Sequence, residues 1–247
     1  MLREDQDAYG REVLAHLEGQ KAYEIVERDD GYIDVSSGPL AYFAPFADWP
    51  AHQQRAMDYV AGRVLDIGCG AGRVCLHLQE KGLQVTGVDV SPLAVEVCQR
   101  RGVQDVRVLG ITDITGGLGR FDTIVMMGNN FGLFGGYGRA RWLLRRFYRL
   151  TSDGGRIVAE TVDPYQTTDP LHLAYHDRNR KRGRLGGQIR ICVRYRTYTS
   201  PWFDYLLASR GEIERIVHGT GWYVAYTVPS GGAPYCVVLE KGSAASG

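Results

Sequence analysis

Apolar positions along the chain fall into two rhythms. Between residues 64 and 161, short apolar runs at 64–67, 84–88, 105–109, 121–127 and 155–161 alternate with stretches of helical spacing. The short runs read as strands, and the stretches at 72–81, 92–101 and 139–150 read as helices. Each helix carries its own boundary signals or faces. Ser91-Pro92 places a cap and a first-turn proline. In 139–150, Leu143, Phe147 and Leu150 share one side while Arg141, Arg145 and Arg149 recur every four residues on another. Strands separated by helices require crossover connections, so this stretch predicts a parallel sheet with helices on both faces. Upstream, an amphipathic pattern from Asp5 to Glu27 predicts one or two helices, Ser36-Ser37-Gly38-Pro39 a turn, and 50–61 another helix.

The alternation stops at Asp163-Pro164. Residues 165–208 hold a basic stretch and two β-like runs, 188–199 and 202–207. Helical spacing returns at Ser209-Arg210-Gly211-Glu212, a capping box. Strands at 221–228 and 235–240, joined by the turn Pro229-Ser230-Gly231-Gly232, close the pattern as antiparallel neighbours. The expected organisation is a helical cap or lid at 1–48, a domain at 49–241 interrupted by an insertion at 165–208, and a flexible tail at 242–247.

Composition narrows the function classes. The 247 residues carry a net charge of +1, so bulk attraction to phosphate does not drive binding. Five cysteines without paired spacing argue against a disulfide framework or a structural zinc site and predict small buried side chains. No apolar run reaches the ~20 residues of a membrane span, and the charged start is unlike a signal peptide, so a cytoplasmic protein without membrane partners is expected. Glycine, at 32 residues, is in excess.

Part of that excess sits in Val64-Leu65-Asp66-Ile67-Gly68-Cys69-Gly70-Ala71-Gly72-Arg73, a buried strand running into three alternating glycines and then a helix. Glycine lets the backbone turn sharply and approach a ligand. Asp89 ends the next strand, where a carboxylate meets a ribose diol. The loop is GxGxG with Arg73 in place of a third dinucleotide-type glycine, and Asp66 is foreign to that fingerprint. An NAD(P) oxidoreductase is therefore disfavoured, and the absence of GKS or GKT excludes a P-loop.

This loop resembles that of the class I S-adenosylmethionine-dependent methyltransferases, an apolar strand followed by D-x-G-x-G-x-G. The resemblance extends in order to Asp89, to Asp113 in Gly110-Ile111-Thr112-Asp113-Ile114, to Phe121-Asp122 opening the fourth strand, and to the final helix and two strands. It implies a three-layer α/β/α Rossmann-like fold with about seven strands. These are mostly parallel with the last antiparallel, and a β insertion follows strand five. It also implies S-adenosylmethionine as cofactor, S-adenosylhomocysteine as product, and contacts from Asp66, Gly68, Cys69, Gly70, Arg73, Asp89, Val90, Asp113, Ile114 and Gly128. For Asp113, a turn-capping role stands beside adenine contact.

The acceptor is less legible. The sulfonium methyl is already activated, so the protein mainly aligns the acceptor and excludes water. Gly128-Asn129-Asn130-Phe131 lacks the N-P-P-Y prolines of methyltransferases acting on nucleobase or glutamine amino groups. Asn129 and Asn130 are acceptor-contact candidates or turn caps, and 131–138 reads as a substrate-facing loop. His172 and His176, four residues apart, and Asp163 are candidate bases, with packing or solvated roles as the bland alternative. No metal is expected. Between 178 and 196 there are eight basic residues and no acidic one, which admits an RNA-binding patch or an anion clamp. Alternation of arginine with apolar residues from Gln188 to Thr199 instead favours a strand with one wet face. The reading is a methyltransferase acting at O or N of a small molecule. An RNA methyltransferase is the main rival, and a non-catalytic cofactor-binding protein a weaker one.

Overall fold

The computed structural model describes residues 2–36 and 38–242. Ser37 of the expected turn and residues 243–247 of the expected tail lie outside the described residues.

The N-terminal segment departs from the helical expectation. Asp7 caps α1 (Ala8–Leu17) by accepting from the Gly10 amide, and the helix ends before Gly19, at φ +78°. The chain then forms a hairpin, β1 (Glu24–Arg28) and β2 (Ile33–Ser36). The amphipathic pattern was read as helix to Glu27. Its last part is alternation along a strand whose partners lie far away in sequence. The expected turn at 36–39 is replaced: Ser36 ends β2, and Gly38-Pro39 already open a short helix, α2 (Gly38–Phe43), whose first turn tolerates a proline; α3 (Ala51–Ala56) starts behind Pro50.

From there the predicted order holds. The elements are β3 (Val64–Ile67), α4 (Arg73–Glu80), β4 (Val85–Asp89), α5 (Pro92–Arg101), β5 (Val106–Val108), β6 (Phe121–Met126), α6 (Tyr137–Leu150) and β7 (Thr151–Val162). The Ser91 side chain accepts from the Ala94 amide at the cap of α5, and Gly102 ends that helix in the left-handed conformation. The insertion is not purely β. It opens with α7 (Pro170–Lys181), capped by Asp169, before β8 (Gln188–Tyr195), β9 (Tyr198–Thr199) and β10 (Phe203–Leu206). Then come α8 (Arg210–Val217), whose Ser209–Glu212 capping box forms as predicted, β11 (Trp222–Pro229) and β12 (Pro234–Lys241).

Two compact units share the chain. The first comprises Met1–Trp49, Val64–Ile114 and Arg190–Phe203; the second comprises Pro50–Arg63, Thr115–Ile189 and Asp204–Gly247. The larger sheet has seven strands. In the first unit β3, β4 and β5 run parallel, side by side. In the second, β6 and β7 are parallel, β12 lies antiparallel to β7, and β11 antiparallel to β12. The reversed last strand is the one expected. All four residues of β3 and all five of β4 are buried, which explains their unbroken apolar character. The first unit also holds a smaller sheet in which β1 pairs β8, Ile25–Arg28 opposite Arg194–Ile191. Along β8, Arg190 and Arg194 are exposed while Ile191, Val193 and Tyr195 are buried, the wet and dry faces that alternation predicted; Cys192 departs by being buried. All five cysteines are free and buried.

Candidate active site

The glycine loop lies within the first unit. β3 ends at Ile67 and α4 begins at Arg73, so five residues must reverse the chain. Gly68, Gly70 and Gly72 all take positive φ, at 72°, 55° and 80°. Gly72 is doubly constrained: it is the left-handed N-cap of α4, and a Cβ there would stand 2.8 Å from Val103 Cγ2 and 3.0 Å from Cys98 Sγ. The loop is held from behind. The amides of Gly68 and Cys69 donate to the Val88 carbonyl, the Cys98 thiol to the Gly70 carbonyl, and the Arg101 guanidinium to the Ala71 carbonyl.

Three acidic side chains stand near this turn. Asp66 is buried in β3, with the Cys75 thiol 3.2 Å from its Oδ2, and burial pushes its carboxyl up to about 7. Asp89, at the end of β4, accepts the Gly70 amide on Oδ2 at 3.0 Å and the Ser91 amide on Oδ1 at 2.9 Å. Burial lifts it to about 6, against the lowering effect of those two amides. Each Asp89 oxygen keeps a further lone pair. Asp7 caps α1 and also accepts the Leu93 amide of α5, anchoring the N-terminal helix beside the loop.

The remaining candidates in this unit differ in placement. Arg73 stacks 4.5 Å over the Trp49 ring. Cys69 is buried, its sulfur 3.9 Å from that of Cys98. Val90 is exposed and Ile114 fully buried. Asp113 is exposed in a turn closed by its own backbone amide on the Gly110 carbonyl, and its side chain accepts the Thr112 hydroxyl at 3.5 Å.

The acceptor-side candidates lie in the second unit. Gly128 and Asn129 both have positive φ, 71° and 63°, and both donate their amides to Glu160 Oε2, at 2.8 and 3.2 Å. Tyr205 donates its hydroxyl to the Asn129 carbonyl at 2.6 Å, while the Asn129 side-chain oxygen is buried without a hydrogen-bond partner. Asn130 opens a short 3-10 turn through Phe134. The segment from Phe131 was expected to face substrate. Instead Phe131 and Phe134 are fully buried, 4.9 Å apart edge to face, with Phe147 beyond. Their aromatic character serves packing. Asp163 accepts the Tyr165 amide at 3.0 Å as a turn residue. His172 and His176 do lie on one helix, α7. His172 is 3.8 Å from the capping Asp169, and His176 is buried edge-on to Tyr165.

Glu160 was not singled out in the sequence. It is the buried hub of this unit, receiving His52 Nε2 at 2.7 Å and Gln53 Nε2 at 2.8 and 2.9 Å besides the two amides. Burial pushes its carboxyl up, but the side-chain bonds from His52 and Gln53 outweigh that and hold it below the ordinary glutamate value. One signal existed: a lone carboxylate inside the apolar run Ile157-Val158-Ala159-Glu160-Thr161-Val162. Among the described residues, His52, Glu160 and Cys236 form the one His/Cys/carboxylate group close enough to share a metal ion. The Glu160 carboxylate is already saturated by protein donors. The described residues include no helix long and apolar enough to cross a membrane.

Comparison with known proteins gives a consistent picture. Residues 64–155 match a family model described as a methyltransferase domain. The Bacillus subtilis (strain 168) protein YqeM is 32% identical over 91 residues, 35% of this chain and 36% of that one. The ubiquinone biosynthesis O-methyltransferase of Xanthomonas oryzae pv. oryzae (strain PXO99A) is 28% identical over 113 residues, 43% of this chain and 46% of that one. The chain thus spans half or less of the length of these curated relatives. A solved Bacteroides fragilis S-adenosylmethionine-dependent methyltransferase, in complex with S-adenosyl-L-homocysteine, covers 98% of each chain at 24% identity with a TM-score of 0.83. Residues 64–155 are thus similar to a methyltransferase domain, and the chain shares its fold with a solved S-adenosylmethionine-dependent methyltransferase.

Proposed function

We propose that the protein transfers a methyl group from S-adenosylmethionine to oxygen or nitrogen of a small molecule. The observation that carries this is the glycine turn with Asp89 behind it. Two backbone amides fix the Asp89 carboxylate at the strand end while leaving acceptor capacity on both oxygens. That fits the two hydroxyls of a ribose. Asp66, beneath the same turn, supplies a carboxylate for a cationic amino group. Gly68, Cys69, Gly70, Arg73, Val90, Asp113, Ile114 and Gly128 complete the proposed cofactor set. The cofactor brings an activated sulfonium methyl. The chain's own residues bind, orient the acceptor and exclude water.

On the acceptor side we assign Asn129, whose buried side-chain oxygen is unpartnered. Asn130, Asp163, His172 and His176 are secondary. Residues 1–48 act in this reading as a cap on the cofactor loop and 165–208 as an acceptor-side insertion. A small-molecule acceptor is supported over RNA by the engagement of the basic segment. Arg180 pairs with Asp177 at 2.6 Å, Arg184 with Asp204 at 3.0 Å, and Arg194 with Glu27. These arginines are partly neutralised within the protein.

Calorimetry with S-adenosylmethionine, S-adenosylhomocysteine and NADH tests the cofactor. Binding of NADH alone would remove the reading. Transfer of radiolabelled methyl to a small-molecule extract, and not to total RNA, is the expected second result.

A further inference from the structure

The first unit contains a buried carboxylate that the glycine turn does not use. Glu12 lies on α1 between Ala8 and Ala15, positions four and three residues away and therefore on one stripe of the helix. Ala8 and Ala15 pack against Val193 and Tyr195 of β8. Glu12 is 0% exposed, and neither of its oxygens has a hydrogen-bond partner. The Tyr195 hydroxyl is likewise buried without a partner. A second carboxylate, Glu24 of β1, lies close enough to repel Glu12 and accepts the Tyr42 hydroxyl at 2.7 Å and the Ser36 hydroxyl at 3.2 Å. Tyr9, one turn before Glu12, packs edge-on to Tyr42 with ring centroids 5.6 Å apart. Burial, with Glu24 adding to it, lifts the Glu12 carboxyl to about 8.

An isolated buried carboxylate without donors is costly, and native proteins rarely leave one unmatched. The nearest basic residue on the helix does not offset it: Arg11 pairs with Glu4 and stacks on Tyr198 at 4.9 Å. Two buried acids with Tyr9 beside both, Tyr42 bonded to Glu24, and Tyr195 packed on the alanines that flank Glu12 match one ligand chemistry, an organic cation that donates N–H to the acids and lies on aromatic faces. The location links this to transfer. A Cβ at Gly70 would stand 2.4 Å from the Tyr9 hydroxyl, so the tyrosine touches the middle of the glycine turn.

We propose that Glu12, with Glu24 and the tyrosines Tyr9, Tyr42 and Tyr195, forms a recognition site for an organic ammonium group on the methyl acceptor, so that the acceptor is an amine-bearing small molecule. This rests on the methyltransferase reading, and the test separates the two. Calorimetry on protein saturated with S-adenosylhomocysteine compares benzylammonium, phenethylammonium and tetramethylammonium with benzyl alcohol, 2-phenylethanol and tert-butanol. At least one cation binds about tenfold tighter than its neutral counterpart, as expected for a charge-assisted hydrogen bond to a buried acid. Glu12→Gln removes that preference while the S-adenosylhomocysteine Kd stays within about threefold. Tyr195→Phe, a nearly isosteric change, reduces cation affinity by about threefold and serves if Glu12→Gln does not fold. The inference is overturned if no cation is preferred or if the preference survives in both variants. It is also overturned if Glu12→Gln weakens S-adenosylhomocysteine itself as much as the cations, which would assign Glu12 to the cofactor's own ammonium. Failure of S-adenosylhomocysteine to bind the unaltered protein would count against the methyltransferase reading alone, because the cation series is then run without it.

Discussion

Asp89 and Glu160 are near counterparts. Each is a buried carboxylate in a strand of the larger sheet, and each receives two backbone amides: Glu160 those of Gly128 and Asn129 in one turn, Asp89 that of Gly70 in the glycine turn and that of Ser91 just beyond its own strand. They differ in what else reaches them. Glu160 also takes His52 and Gln53, so its acceptor capacity is filled by protein and its carboxyl lies below the ordinary value. Asp89 has only the amides and is lifted to about 6. A carboxylate saturated from within braces a turn. One left half-satisfied at a similar place is available to a ligand. The same reasoning makes Glu12, with no donor at all, the most ligand-dependent acid of the three.

The sharpest break is expected at Glu160. Glu160→Ala strands two amides, Gln53 and His52, and should lower stability by about 3–5 kcal/mol, since each buried donor left unmatched costs about 1–3 kcal/mol. Urea denaturation followed by fluorescence reads this out, and a loss below 1 kcal/mol would deny Glu160 its bracing role. Asp89→Ala should act on binding more than folding. Losing two charge-assisted bonds predicts a fall in S-adenosylmethionine affinity of about a hundredfold, roughly 2.7 kcal/mol. Near-normal affinity by calorimetry would refute the ribose role.

The pH dependence should have opposite signs at the two sites. Asp89 is raised in the folded state, so its contribution to stability is complete below about 3.8 and is lost as pH rises through about 6. Glu160 is lowered, so its contribution is present above the ordinary value of 4.5 and is lost as pH falls through its folded value. Each slope is at most about 1.4 kcal/mol per pH unit. Asp89→Asn should flatten the profile between about 4 and 6, and Glu160→Gln should remove acid sensitivity below 4.5. Profiles that change in the same direction would contradict the distinction. The smallest effect is expected at Gly128→Ala. Its φ of 71° is strained for alanine, yet a Cβ there meets nothing within 4 Å, so the cost is about 1 kcal/mol. Gly72→Ala, blocked by Val103 and Cys98, should exceed it in the same denaturation assay.

The alternating core was legible because its elements are set locally. Ser91-Pro92 starts α5 and Gly102 ends it, whatever packs against them. The glycine turn was legible for the same reason: three positive φ angles demand glycine where the sequence has it. What escaped was set by distant partners. The residues at 24–28 are a strand because β8 pairs with them, and nothing within the segment announces that. Phe131 and Phe134 read as ligand-facing because composition does not reveal which way a ring points. Glu12 escaped because a buried acid on a helix resembles any other glutamate until its donors, or their absence, can be counted; Glu160 stood out only by its place in an apolar run, which does not reveal the donors that fill it.

The pairing of β1 with β8 also bears on how the chain is made. Ile25 sits opposite Arg194, so β1 leaves the ribosome 169 residues before its partner. At about 5–20 residues per second, this strand waits roughly 8–34 s for its neighbour. During that interval its β8-facing edge is open to pairing with another nascent chain. The charged residues Glu24, Glu27 and Arg28 among its five positions act as guards for that wait, since an edge carrying charge is a poor template for aggregation.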